Sequence, residues 1–269
     1  MFDREADGAP VRYARDGAVA WIVMDRPDKL NALSPEAIDG LAVALDRAEA
    51  DREARVIALT GAGSSFCAGA DLSRVLDRDA DGAGLELPDF LRSIGRVCTR
   101  IAEHPLPVIA AVHGNAVAGG LELLLACDLV VASEDARIGD GHARYGMFPG
   151  AGGLVRLPAR IGATRAKYLL FTAESWSAEQ MREVGLVNQV VPRADLESAV
   201  QRLGMRLAGF SAAGIAGMKR VVERGADLPA ARALELELAE CEAYIAAGGD
   251  FDEGLRAFRD RRKPIFARR

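Results

Sequence analysis

The sequence is poor in the residue types that mark several large classes of protein. Only four cysteines occur in 269 residues, Cys67, Cys98, Cys127 and Cys241, with no CxxC pair. That scarcity excludes a disulfide scaffold and reads as free thiols in a reducing compartment. Histidine is scarcer still: His104, His113 and His142 are scattered, so no metal site is expected. No apolar run approaches the roughly 20 residues that span a bilayer, so no membrane association is expected. Net charge is −5 with both signs interspersed, and nucleic-acid binding would need basic clusters. The one basic run, the C-terminal RDRRKPIFARR, reads as a solvated tail. The start, MFDREADGAP, is acidic and polar, unlike a signal or transit peptide, and the expected location is the cytoplasm. Repeats, low-complexity tracts and long Gly/Ser linkers are missing.

What is present is apolar patterning, with half of the residues apolar. Ala18 to Met24, Val56 to Thr60, Val108 to Val112 and Leu129 to Ala132 read as buried strands. Between them, Ser34-Pro35 caps a helix running through Ala50, and Phe90 to Ala102 carries Leu91, Ile94, Val97 and Ile101 on one face. Leu121 to Ala126 is a short helix. Strands alternating with helices predict an α/β arrangement with parallel pairing. Beyond about residue 155 the pattern turns helical, with Leu186 to Val191 as the single strand expected there. The division expected is a core over residues 1–195 and a helical region over 196–269. Asp77 to Gly84, acidic and glycine-bearing, reads as a mobile stretch.

Three segments carry candidate chemistry. Ser64 to Leu72 (SSFCAGADL) follows a strand and a glycine turn, and its small residues let the backbone approach a ligand. Asp71 can hold that turn by bonding nearby N–H groups; an ordinary strand-to-helix loop has the same look. In Val112 to Asp128 a Gly119-Gly120 pair opens a helix, whose free N–H groups suit a developing negative charge. Glu122 lies in its first turn among leucines, where burial disfavours the carboxylate and the helix end favours it. That competition tunes a general base, although a glutamate merely bonding first-turn N–H groups fits too. The third segment, Ala136 to Leu157, places His142 in a glycine-rich loop, 20 residues after Glu122. Histidine exchanges protons readily near neutral pH, yet a histidine bonded to a backbone carbonyl has the same appearance. His104 and His113 read as structural.

Taken in order, FCAGADL, AVHGNAVAGGLELLLACDLVVAS, FPGAGGLVRLPARIG, WSAEQMREVGLVNQVVP and DEGLRAFRDRRKPIF resemble the crotonase (enoyl-CoA hydratase/isomerase) superfamily, over about Val19 to Phe266. The resemblance implies a crotonase-like α/β fold, a spiral of ββα units with C-terminal helices that mediate trimerisation, in a trimer or dimer of trimers. It implies an acyl-CoA substrate, with coenzyme A arriving in the thioester and no permanently bound cofactor. An oxyanion hole would be formed by the N–H groups of Ala70 and Gly119. Coenzyme A would lie along Lys29, Ala68, Ala70, Asp71 and Leu72, with Phe251 and Lys263 approaching it, often from a neighbouring subunit.

One departure matters. Typical hydratases of the family carry two glutamates. Glu122 fills the first place, but counting back from Pro149 the second is held by His142. A Glu/His pair still offers a base and a proton donor. The expectation is an enoyl-CoA hydratase-type lyase, with Glu122 as principal base and His142 orienting water or supplying the α-proton. Alternatives of the same superfamily are a C–C bond hydrolase using histidine, a double-bond isomerase and a non-catalytic acyl-CoA-binding homologue.

Overall fold

The computed structural model describes residues 8–73 and 86–266, so the Asp77 to Gly84 stretch lies outside the described residues. Four strands, β2 (Val19–Met24), β3 (Val56–Gly61), β4 (Val108–Val112) and β6 (Leu129–Ser133), form where apolar runs were read. In β2, β3 and β4 every side chain is buried, the signature of a parallel sheet covered on both faces. Their residues alternate between two cores. Ala20, Ile22, Met24, Ile57, Leu59, Val108, Ala110 and Val112 face one, which α1 (Pro35–Ala50) and α2 (Leu87–Glu103) cover. Val19, Trp21, Val23, Val56, Ala58, Ile109 and Ala111 face the other. A slip of one residue in any strand would exchange these sets.

The six-stranded sheet runs β1-β2-β3-β4-β6-β9, where β1 is Val11–Asp16 and β9 Gln189–Val191. Only the β1/β2 pair is antiparallel. Strand β1 escaped sequence reading because VRYARD is half-buried and charged. A second sheet of three-residue strands, β5 (Asn115–Val117), β7 (Arg137–Gly139) and β8 (Ser175–Ser177), lies beside it. Such short strands show no period, and β8 corrects the expectation of a single strand in the second half.

Ser34 Oγ accepts from the Ala37 N–H at 3.3 Å and Pro35 opens α1, as the capping residues predict. Helix α3 (Gly119–Ala126) is wholly buried. The glycine-rich third segment contains a further helix, α4 (Gly153–Ile161), where a loop was read. Gly152, at φ 110°, turns the chain into it. Then follow α5 (Ala163–Thr172), α6 (Ala178–Glu183), α7 (Leu196–Ala208), α8 (Ala212–Gly225), α9 (Ala230–Ala246) and α10 (Asp250–Arg259). Leu196, Ala199 and Val200 of α7 belong to the second core, so the helical region begins with a helix that covers the sheet. Helices α8 and α9 bury no residue and leave Met218, Val222, Leu234, Leu238 and Ile245 exposed.

Candidate active site

Because β3 and β4 are parallel neighbours, their C-terminal ends open on the same side, where ligands bind in α/β sheets. Each end feeds a loop, and the two loops touch. Phe66 N–H donates to the His113 carbonyl at 2.8 Å and Cys67 N–H to that of Asn115 at 2.9 Å. Asn31, buried, clamps the first loop by donating to the carbonyls of Ala62 at 2.8 Å and Ser65 at 2.7 Å. Sequence reading missed Asn31; its tolerance of positive φ (56°) is the only local hint.

The amide of Ala70 is exposed by its neighbours' bonds. Leu33 N–H donates to the Gly69 carbonyl, and Asp71 N–H to that of Leu33, each at 2.7 Å. Leu33 thus bonds the residues flanking Ala70, and the Ala70 N–H is directed away, without a partner among the described residues. Gly119 opens α3, so its N–H has no acceptor within the helix. The preceding Ala118 sits at φ 51° and ψ −118°, a region alanine rarely adopts, which turns the helix start toward the first loop. The amides are neighbours: a Cβ built on Gly119 would stand 3.4 Å from Ala70 N, and one on Gly69 would stand 3.4 Å from Gly119 N. The next residue is tighter still, since a Cβ on Gly120 would meet the Cys67 carbonyl oxygen at 2.2 Å.

Glu122 is 2 % exposed. Its Oε1 accepts from the N–H groups of Ala151 at 2.7 Å and Gly153 at 2.9 Å. The helix end that answers this buried carboxylate is therefore that of α4, in addition to its own. Donors at a helix start offset the cost of burying the charge.

His142 begins a 3-10 turn (His142–Tyr145) just after β7. Its Nδ1 lies 2.8 Å from Asp140 Oδ2, and its N–H donates to Asp140 Oδ1 at 3.0 Å. Burial opposes a charge on the ring, but the Asp140 carboxylate and then Glu122 outweigh it, and its pKa is raised above the ordinary value. The Ala136 to Leu157 segment that carries His142 also supplies the Ala151 and Gly153 amides that bond Glu122. Sequence reading missed Asp140, whose only signal was its place two residues before the histidine. Arg144 donates to the Ala173 carbonyl at 3.2 Å and supports the loop.

The residues expected to line coenzyme A are arranged unevenly. Lys29 is exposed, at the end of a 3-10 turn (Pro27–Lys29). Ala68, Ala70, Asp71 and Leu72 are half-buried. Asp71 pairs with Arg26 at 2.7 Å and also accepts from the Ser73 hydroxyl at 2.6 Å. Phe251 packs edge-on against Tyr244, and Lys263 is exposed beyond α10. No hydrogen bond, ion pair or ring contact joins either to the 68–72 segment among the described residues. Burial pushes the Cys67 and Cys98 thiols up to about 12, so neither serves as a nucleophile. His104 is buried and accepts from the Leu106 N–H at 3.0 Å, a structural role.

A parallel sheet whose loops bring two amides together, with a buried carboxylate and an imidazole on neighbouring segments, is an arrangement suited to an oxygen that gains negative charge. The chain belongs to the enoyl-CoA hydratase/isomerase family, whose model matches residues 14–269, and its fold is the crotonase fold. A "Probable enoyl-CoA hydratase" of Rhodobacter capsulatus is 36 % identical over 260 residues, covering 96 % of this chain and 98 % of that protein. The 1,2-epoxyphenylacetyl-CoA isomerase of Escherichia coli is 34 % identical, covering 92 % and 94 %. Among solved structures, an enoyl-CoA hydratase from Bacillus anthracis aligns with TM-score 0.89 and 32 % identity, over 96 % of this chain and 98 % of that one.

Proposed function

We propose that the protein adds water across the double bond of a 2-enoyl-CoA thioester. The observation that carries this reading is the meeting of the Ala70 and Gly119 amides, with Glu122 and His142 on adjoining segments. The thioester oxygen takes both N–H groups. Glu122 removes a proton from water, the hydroxyl adds to C3, and the electron pair moves onto the thioester oxygen. The charge there is larger in the enolate than in the substrate, so the two donors favour the transition state. His142 orients the water or protonates C2. Lys29, Ala68, Asp71 and Leu72 hold coenzyme A. Phe251 and Lys263 reach it from a neighbouring subunit of a homotrimer or dimer of trimers, consistent with the exposed apolar residues on α8, α9 and α10.

A second reading, C–C bond hydrolysis, draws on the Asp140–His142 pair, because an imidazole backed by a carboxylate also activates water. Double-bond movement is a third reading, because the matching family takes in isomerases as well as hydratases. Mass-resolved turnover of a panel of acyl-CoA thioesters separates them. Addition of one water with coenzyme A retained supports the hydratase. Chain cleavage supports the hydrolase, an unchanged mass with a moved double bond supports the isomerase, and binding without turnover overturns all three.

A further inference from the structure

We infer that Asp140 is a positioning residue of the reaction, holding the His142 imidazole in the orientation and tautomer that make it the proton-delivering partner of Glu122. The inference rests on the reading of the site given above and narrows it.

Two features carry it. The first is the way the pair is built. Asp140 is 2 % exposed, and both of its oxygens are taken by the same residue, Oδ2 by the His142 ring and Oδ1 by its backbone N–H. A buried carboxylate that accepts at Nδ1 fixes a proton there. Every exchange of the ring with substrate then happens at Nε2. The groups acting on the ring are Asp140 from its own loop and Glu122 from α3, both acidic. Both carboxylates favour a second proton on the ring, which suits His142 to donate and Glu122 to act as the base. His142 thus starts the cycle as the acid.

The second feature is registration against the amides. Strand β7 pairs in parallel with β5, with Val117 opposite Gly139. The Ala118 N–H donates to the Gly139 carbonyl at 3.2 Å. Both strands end at this pair: β5 runs on through Ala118 to Gly119 at the oxyanion position, and β7 runs on to Asp140. Strands β5 and β7 are sheet neighbours about 4.8 Å apart, so the segment leading to the Gly119 amide and the segment leading to Asp140 leave the sheet from adjacent positions. Asp140 passes that register to a side chain that stands in a 3-10 turn outside the sheet.

The step balances. The Nε2 proton goes to C2, the water hydroxyl to C3 and the water proton to Glu122. The imidazole is left neutral, its Nδ1–H still donated to Asp140, and solvent restores both groups.

The test is nitrogen NMR of histidine-labelled protein, tractable because the chain has three histidines. His142 is assigned by loss of its signal in His142→Gln. In the wild type we expect Nδ1 to stay protonated throughout and Nε2 to titrate above an ordinary histidine. Asp140→Asn should bring that titration down. It should also lower kcat/KM by about 10²-fold and move its alkaline limb to lower pH. Affinity for a saturated acyl-CoA should change by less than about threefold, and Asp140→Glu should recover part of the rate. An Nε2–H tautomer in the wild type overturns the inference even if no variant folds. An active wild type whose Asp140→Asn form keeps its rate and alkaline limb overturns the role of Asp140 alone. A wild type that turns over no thioester overturns the reading of the site itself.

Discussion

The guanidinium of Arg26 stands 2.7 Å from the Asp71 carboxylate and ties the turn after β2 to the segment that carries the Ala70 amide. The same guanidinium donates to the Ala32 carbonyl. Burial raises the Asp71 carboxyl, but the Ser73 hydroxyl and Arg26 outweigh it, so its pKa lies below the usual value. A depressed folded pKa contributes stability above the unfolded pKa and loses it as pH falls through the folded one. Asp71→Asn should cost about 1–2 kcal/mol at neutral pH and less in acid. It should raise KM for the thioester more than it lowers kcat. Urea melts at two pH values and steady-state kinetics check both; an unchanged KM would show that the ion pair does not shape the binding segment.

Glu122→Gln keeps an oxygen that can accept from the Ala151 and Gly153 amides, so the melting temperature should move little. Its kcat should fall about 10²–10⁴-fold, and His142→Ala should fall within the same range. Full turnover by both variants would remove the proposed acid and base together.

Gly120→Ala should damage the site through the backbone. The new methyl would stand 2.2 Å from the Cys67 carbonyl oxygen, and neither buried segment has room to retreat. The overpacking should cost about 1–3 kcal/mol or more, read from denaturant midpoints. Because the strain separates the two amide-bearing loops, activity should fall further than the folded fraction does.

His113 predicts acid sensitivity. It is 1 % exposed, and neither ring nitrogen has a hydrogen-bond partner of good geometry among the described residues. Burial, and then the charge of Arg193, push it from 6.5 down to about 4. The unfolded chain binds this proton below about 6.5 and the native state only near 4, so stability is lost as pH falls through that window. Over the full window the loss approaches about 3 kcal/mol. His113→Leu should flatten that slope in urea melts between neutral pH and pH about 4.5; an unchanged slope would assign the sensitivity to other groups.

Lys219 fastens the C-terminal helices to the core. Its ammonium lies 2.8 Å from the Asp128 carboxylate and donates to the carbonyls of Ile101 at 3.1 Å and Leu106 at 3.4 Å. Asp128 also accepts from the Val108 N–H at 2.7 Å. Lys219→Met would leave this half-buried carboxylate without its cation, at a cost of about 1–3 kcal/mol by chemical denaturation. A loss well below that would mean that water replaces the ammonium.

The sequence by itself determined the buried parallel strands, because their apolar runs have nowhere to go but between two covering layers. It also determined α1, whose Ser34-Pro35 start acts locally, and the glycine positions at which the loops pack. Only tertiary structure decided which groups meet. The three-residue strands β5, β7 and β8 are too short for any period and exist because their neighbours complete them. The α4 start that meets Glu122 is 31 residues away along the chain. Arg26 finds Asp71 across 45 residues, and Asn31 reaches Ser65 across 34. Such partners leave no spacing to read, since folding, rather than the chain between them, sets their separation. Asp140 is the instructive case: its bond to His142 spans two residues, yet only the β5/β7 pairing brings the chain that carries it alongside the strand that leads to Gly119.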